Sequence, residues 1–105
     1  MSNQDVIYRL KNLGQEVMPP GAKLLLYGSR ARGDFREDSD WDLLLILPKK
    51  QITAEDYDNI SYPFTELGWH IGQTINPVVY TQQEWEQYSF TPFYHNVLQD
   101  AIILK

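Results

Sequence analysis

Most of the side chains able to do chemistry in this 105-residue chain lie in residues 27–47, YGSRARGDFREDSDWDLLLIL. Gly28-Ser29 directly follows the apolar run KLLLY, where a buried strand opens into a turn. Glycine there permits close backbone approach, and free N–H groups together with the Ser29 hydroxyl can hold a phosphate. Arg30, Arg32 and Arg36 add cations within reach of the same turn. Asp40 and Asp42 flank Trp41 at the entry to a second apolar run. In a strand, residues two apart point to one face, so both carboxylates project together. Two adjacent carboxylates repel, and a divalent cation stabilises the pair; Mg²⁺ takes one or two carboxylates and shares its other positions with substrate phosphates. A phosphate-holding turn beside a metal-holding carboxylate pair suits nucleotidyl or phosphoryl transfer.

Other readings of the same residues are weaker. Gly28 and Gly33 have P-loop spacing, but Asp34-Phe35 stands where Lys-Ser/Thr is required. Arg32-Gly33-Asp34 spells an adhesion tripeptide, a three-residue match that chance supplies. An isolated D-x-D is usually solvated or a cap. Next to a Gly-Ser-Arg turn between two apolar strands, that reading loses its appeal.

The elements that must position these residues follow from periodicity and caps. Val6, Leu10, Leu13 and Val17 recur at helical spacing, Ser2 or Asn3 can cap, and Pro19-Pro20-Gly21 stops the helix. Residues 23–27 and 41–47 read as buried strands. Thr53 to Asp56 resembles a capping box, and Tyr57, Ile60, Phe64, Leu67 and Ile71 continue the helix in phase across Pro63, which should kink it. Residues 74–80 read as a third strand, edge or irregular because of Pro77. Thr81 to Glu84 is a second capping box, and Thr91-Pro92 starts another helix. Ala101 to Leu104 fits a terminal strand or the end of that helix. The order predicts one α/β (α+β) domain over residues 1–105, a small mixed sheet with helices packed against it.

Composition excludes several function classes. The chain has no cysteine, which rules out disulfides and thiolate metal sites, and His70 and His95 stand far apart. No run approaches the ~18 apolar residues of a membrane helix, and the start lacks a signal-peptide pattern, so a cytoplasmic protein is expected. The net charge of −5 is uneven, with +1 over residues 1–50 and −6 over residues 51–105. That acidic second half argues against general nucleic-acid binding and fits a solvated face or a surface for a basic partner. Tyr62, Tyr80, Tyr88, Tyr94, Trp69, Trp85 and Phe93 could stack a base, but aromatics at these spacings more often fill a core or an interface.

Gly28-Ser29, ten residues, then Asp40-x-Asp42 resembles the GSx10DxD signature of the DNA polymerase β-like nucleotidyltransferases. The fuller run, Gly28-Ser29-x-Ala31-Arg32-Gly33 and then Ser39-Asp40-x-Asp42-Leu43, is similar to their smallest members, the minimal nucleotidyltransferases. The resemblance implies that Gly28, Ser29, Arg30, Arg32 and Ser39 serve the phosphates of ATP or another nucleoside triphosphate. Asp40 and Asp42 would ligate two Mg²⁺ ions. A nucleoside monophosphate, AMP in the first instance, would pass to an acceptor hydroxyl. It also implies a separately encoded helical partner of the HEPN type, in a toxin–antitoxin-like pair, because this length leaves no acceptor-binding domain; oligomerisation is the other way to supply one. A partner tyrosine would then be an acceptor.

One position departs from that pattern. The family's third carboxylate, on the third strand, is replaced in TINPVVY by Asn76. An amide oxygen can ligate a metal but carries no charge and accepts no proton usefully. The second metal would be weaker and a candidate base lost, and general-base help is typically worth ~10²–10⁴ in rate. The alternative function is therefore a catalytically impaired binding module or antitoxin that keeps the fold.

Overall fold

The computed structural model describes all of residues 1–105. Helix α1 (Asn3–Val17) opens at Ser2, whose hydroxyl accepts from the Asp5 N–H while the Asp5 carboxylate accepts from the Ser2 N–H. Strand β1 (Lys23–Tyr27) leads straight into the single turn α2 (Ser29–Arg32). Residues 34–40 form neither helix nor strand, and β2 (Trp41–Leu47) follows. Then come α3 (Ala54–Asp56), a π-helical turn (Tyr57–Ser61) and α4 (Tyr62–Ile71). Strand β3 (Ile75–Thr81), α5 (Gln82–Gln87), α6 (Pro92–Asp100) and β4 (Ile102–Ile103) complete the chain.

The sheet order is β3-β2-β1-β4, with β2 and β3 parallel and the other two pairings antiparallel. It is the mixed sheet expected. Pro77 sits on the edge strand β3, where a missing N–H breaks no second ladder. Of the two readings of the C-terminal run, the strand is the one formed: Ile102 and Ile103 pair with Leu26 and Leu25.

Both faces of the sheet are covered, which explains why residues 43–47 of β2, LLLIL, are continuously apolar rather than alternating. Leu43, Leu45 and Leu47 pack with Leu24, Leu26, Val6, Leu10, Ile60 and Phe64 under α1 and α4. Leu25, Leu44 and Ile46 pack with Trp85 and Val97 under α5 and α6. Odd positions of β2 thus serve one core and even positions the other.

The helix across Pro63 stays in phase for a specific reason. Its preceding turn widens to π geometry, with the Tyr62 N–H donating to Tyr57 O, and Pro63 falls in the first turn of α4. There its missing N–H is an orphan in any case. The helix keeps its apolar stripe through a π turn instead of a simple kink.

The end of α4 sets the start of β3. A Cβ on Gly68 would stand 2.6 Å from Gln73 O and 3.3 Å from Ile75 N, so the helix can approach that backbone only without a side chain. Gln73 and Thr74 in turn hold Trp41: its indole N–H donates to Gln73 Oε1 at 3.0 Å and its backbone N–H to Thr74 O at 2.8 Å. Gly68→Ala should therefore destabilise the fold by about 1–3 kcal/mol, the usual cost of overpacking. Urea unfolding checks this, and a variant as stable as the parent would contradict the close approach.

Candidate nucleotidyl-transfer site

The register of the sheet assembles the site. Tyr27 and Asp42 are cross-strand partners in β1 and β2, and Asp42 and Asn76 are partners in β2 and β3. Asp42 and Asn76 share parity with Leu44 and Tyr80, which places them on the α5–α6 side of the sheet. Asp40, just before β2, reaches the same place: the Asn76 amide nitrogen donates to Asp40 Oδ2 at 2.9 Å. Gly28, Asp40, Asp42 and Asn76 thus converge where β1, β2 and β3 meet the motif turn. Asn76 stands where the third carboxylate was expected. The structure contains no group of three or more His, Cys, Asp or Glu side chains placed to share a metal.

Gly28 is glycine for two physical reasons. Its φ of 76° and ψ of −161° lie in a region essentially reserved for glycine. A Cβ there would also stand 2.6 Å from Asp42 Oδ2. The Asp42 carboxylate therefore lies directly against the main chain of the phosphate turn. Ser29 and Arg30 lead α2, and the first N–H groups of a helix have no intrahelical partner.

Burial raises the Asp42 carboxyl above its ordinary range; the neighbouring Asp40 charge adds to the rise, and the Asn76 amide opposes it. The Tyr27 hydroxyl is pushed up to about 12, by burial first and then by the Asp42 charge and Tyr80. Tyr27 is therefore a neutral phenol at physiological pH.

The donor set fits a hard cation. Asp40 and Asp42 supply two carboxylates on one side, the remaining approach is solvent-exposed at Asp40 and Asn76, and Mg²⁺ favours that combination. Beside them stands only the neutral Asn76 amide, which would add no negative charge toward a second ion.

The three expected phosphate-side contacts beyond Gly28 and Ser29 are placed differently. Arg30 is buried, and its donors are taken by Ser39 O, Glu37 O and Asn3 Oδ1. Its guanidinium lies between the rings of Phe35 and Trp41, 4.6 Å from each centroid. It cannot touch a phosphate from there, which corrects the expectation for Arg30; packing between two aromatic rings outcompetes an open position on α2. Ser39 is half-buried, and its hydroxyl accepts from the Arg36 N–H at 2.8 Å. Arg32 is exposed and pairs with Asp34 at 3.3 Å and Asp100 at 3.4 Å. Those carboxylates raise its pKa, and Arg32 remains the motif cation with access to solvent-borne phosphate.

Several participants carry no sequence signal by type alone: Asn3 and Gln73 anchor Arg30 and Trp41, and Gly68 admits β3. The aromatics also sort themselves. Tyr80, Trp85, Tyr88 and Tyr94 form a cluster under α5 and α6. Tyr62 and Trp69 pair on exposed positions of α4. Phe93 joins the α5–α6 cluster through Trp85 at 5.8 Å and meets Tyr27 edge-on at 5.6 Å, at the border of the site. A cleft of about 840 Å³ between α1 and α4, lined by Asp5, Arg9, Glu66 and His70 among others, contains no motif residue. Asp40 and Asn76 instead stand exposed at the strand ends, with Asp42 half-buried beside them.

Gly28→Ala should cost about 1–3 kcal/mol of stability from backbone strain and displace Asp42. A crystal structure of the variant with Asp42 unmoved, or unchanged thermal stability, would contradict the packing of Asp42 on the turn.

Comparison with known proteins agrees with this geometry. The family described as nucleotidyltransferase domain matches residues 8–97, most of the chain. A protein of Methanocaldococcus jannaschii named "Putative protein adenylyltransferase MJ0604" is 32% identical over 82 residues, covering 78% of this chain and 76% of that protein. Among solved structures, a toxin–antitoxin with AMP-PNP aligns with a TM-score of 0.67 and 14% identity, over 94% of this chain and 72% of its own. A "putative nucleotidyltransferase" from Sulfolobus solfataricus aligns with a TM-score of 0.60 and 21% identity, over 96% and 80%. These structures share the fold. With the strand register setting Asp40, Asp42 and Gly28 together and the family match spanning all of them, the chain belongs to the DNA polymerase β-like nucleotidyltransferases as a minimal nucleotidyltransferase.

Proposed function

We propose that this protein transfers AMP from ATP to a hydroxyl group of a partner protein, in a Mg²⁺-dependent reaction carried by Asp40 and Asp42. The observation that carries the reading is the Asp42 carboxylate packed on Gly28, with Asp40 beside it. That arrangement holds metal-binding and phosphate-binding groups in contact. The adenylyl donor is supported by the name of the Methanocaldococcus relative, and the partner by the toxin–antitoxin structure with AMP-PNP. A HEPN-type helical partner remains the expectation of the family resemblance, and the open site and acidic second half are compatible with it.

In the proposed reaction the acceptor oxygen bonds to the α-phosphorus as the bond from that phosphorus to the α,β-bridging oxygen breaks. Pyrophosphate leaves with the electron pair. The Gly28-Ser29 turn orients the triphosphate through the Ser29 hydroxyl and the leading N–H groups of α2, and Arg32 can exchange its exposed carboxylate partners for phosphate. Asp40 and Asp42 would hold Mg²⁺, which supplies charge neutralisation at the phosphates and a lowered pKa for the attacking hydroxyl. Asn76 accepts no proton, so the acceptor proton leaves to a carboxylate of the pair or to solvent. With a neutral third donor, a first ion binds firmly and a second weakly.

A second reading has its own observation. The Asn76 amide donates to Asp40, occupying an oxygen that a metal would use, as expected of a binding module that retains the fold without the reaction. Incubation with Mg²⁺ and α-labelled ATP, alone and with the protein that co-purifies with it, separates the two. The transferase reading expects label transfer by the parent, its loss in Asp40→Ala and Asp42→Ala, and a gain of up to about 10²-fold in Asn76→Asp from restored base function. No transfer by the parent, with transfer gained in Asn76→Asp, would establish the binding module. Labelling that survives loss of both aspartates would sink the carboxylate mechanism.

A further inference from the structure

The geometry points to Arg30 as a positioning residue of the transfer site, whose guanidinium fork ties the backbone just before Asp40 to the turn that follows Gly28-Ser29. The inference rests on the nucleotidyltransferase reading and adds to it the device that sets the spacing of the motif.

Of the ten residues between Ser29 and Asp40, the first three complete α2 and residues 34–39 belong to no helix or strand. Arg30 is the first of the ten and Ser39 the last. The Arg30 Nε–H and one Nη2–H both donate to Ser39 O, at 3.2 and 3.0 Å. The other Nη2–H donates to Glu37 O at 3.0 Å, and Nη1 reaches Asn3 Oδ1 at 3.1 Å. One side chain therefore ties the two ends of the gap together and anchors both to the first turn of α1. The tied segment is itself closed: Ser39 N–H donates to Arg36 O at 3.0 Å while the Ser39 hydroxyl accepts from Arg36 N–H.

The stacking extends the clip to the second aspartate. Trp41 lies between Asp40 and Asp42, and its ring forms one wall of the guanidinium slot, with Phe35 as the other. The indole N–H is fixed to Gln73 on the far side. Arg30 thus braces the one residue whose rotation would swing both carboxylates. All of its partners are neutral, because the three ion pairs of the structure involve Arg32 and Lys49 only. Burying a cation without a carboxylate is costly unless hydrogen bonds and ring faces replace its water, and here four hydrogen bonds and two rings do so.

A lysine at this position keeps the charge but cannot bridge two carbonyls or fill a planar slot. That difference makes the inference testable with the whole protein. Backbone hydrogen exchange over residues 34–42, with residues 43–47 as the internal reference, and Mn²⁺ binding in the presence of a non-hydrolysable ATP analogue would be measured for the parent, Arg30→Lys and Arg30→Met. Both variants should lose protection over 34–42 while 43–47 keep theirs. Both should bind Mn²⁺ about 10–100-fold more weakly, the usual effect of removing a group that orients a metal ligand. Parental affinity in Arg30→Lys would overturn the inference in favour of charge alone. Protection lost equally over 43–47 would reduce Arg30 to a fold-stabilising residue. If neither variant folds, Asn3→Ala removes one arm of the fork from outside the motif; it should loosen 34–42 and weaken Mn²⁺ binding, and leaving both unchanged would count against the clip. A parent that binds no Mn²⁺ with nucleotide would sink the transferase reading, while the exchange measurement still decides whether Arg30 holds the segment.

Discussion

The parallel pairing of β2 with β3 is the constraint on which the site depends. A parallel ladder needs a crossover, and here α3, the π turn and α4 supply it, returning the chain so that Asn76 meets Asp42 across the sheet. A slip of one residue would turn Asn76 toward the α1–α4 core and Ile75 toward the site. The register is held by the burial of Ile75 and Val79 on one face and by Gln73 and Thr74 gripping Trp41. The same tryptophan sits between the two aspartates, so core packing and carboxylate placement are one event. The bare Gly68 that lets α4 reach Gln73 belongs to the same constraint.

Charge then decides what the assembled groups can do. Burial raises the Asp42 carboxyl and the Asp40 charge adds to the rise, so a cation beside the pair would relieve both. Asn76 offers a dipole where a third negative charge would have balanced a second ion, and its amide hydrogen-bonds Asp40 instead. Under the proposed function, two carboxylates and an amide would give enough negative charge for one divalent ion bound with a triphosphate and little for a second.

Much of this was legible in the residues. Both central strands and the Thr53, Thr81 and Thr91 caps followed from apolar runs and capping residues. Ser2 or Asn3 as the first cap, and an edge or irregular Pro77 strand, are choices that only the fold resolves, for Ser2 and for the edge. The motif aspartates and Asn76 were legible because strand parity is local and the family spacing is specific. Arg30 was not, since its role depends on Phe35 and Trp41 closing over it and on Asn3 arriving from another helix. Arginine beside a phosphate turn reads as a ligand until burial shows otherwise. The π turn was hidden for a related reason: periodicity reports the apolar stripe, and the stripe passes through Pro63 in phase while the hydrogen-bond register shifts beneath it.

The proposed transfer requires two carboxylates and an amide to hold one Mg²⁺ firmly with nucleotide. The most direct measurement is the number of Mg²⁺ ions bound per chain with a saturating non-hydrolysable ATP analogue, counted by titration calorimetry and mapped in a crystal of the complex. One tightly held ion touching Asp40 and Asp42, with a second only at much higher concentration, is the expected result. No bound ion at those carboxylates, or two ions of equal affinity, would contradict it.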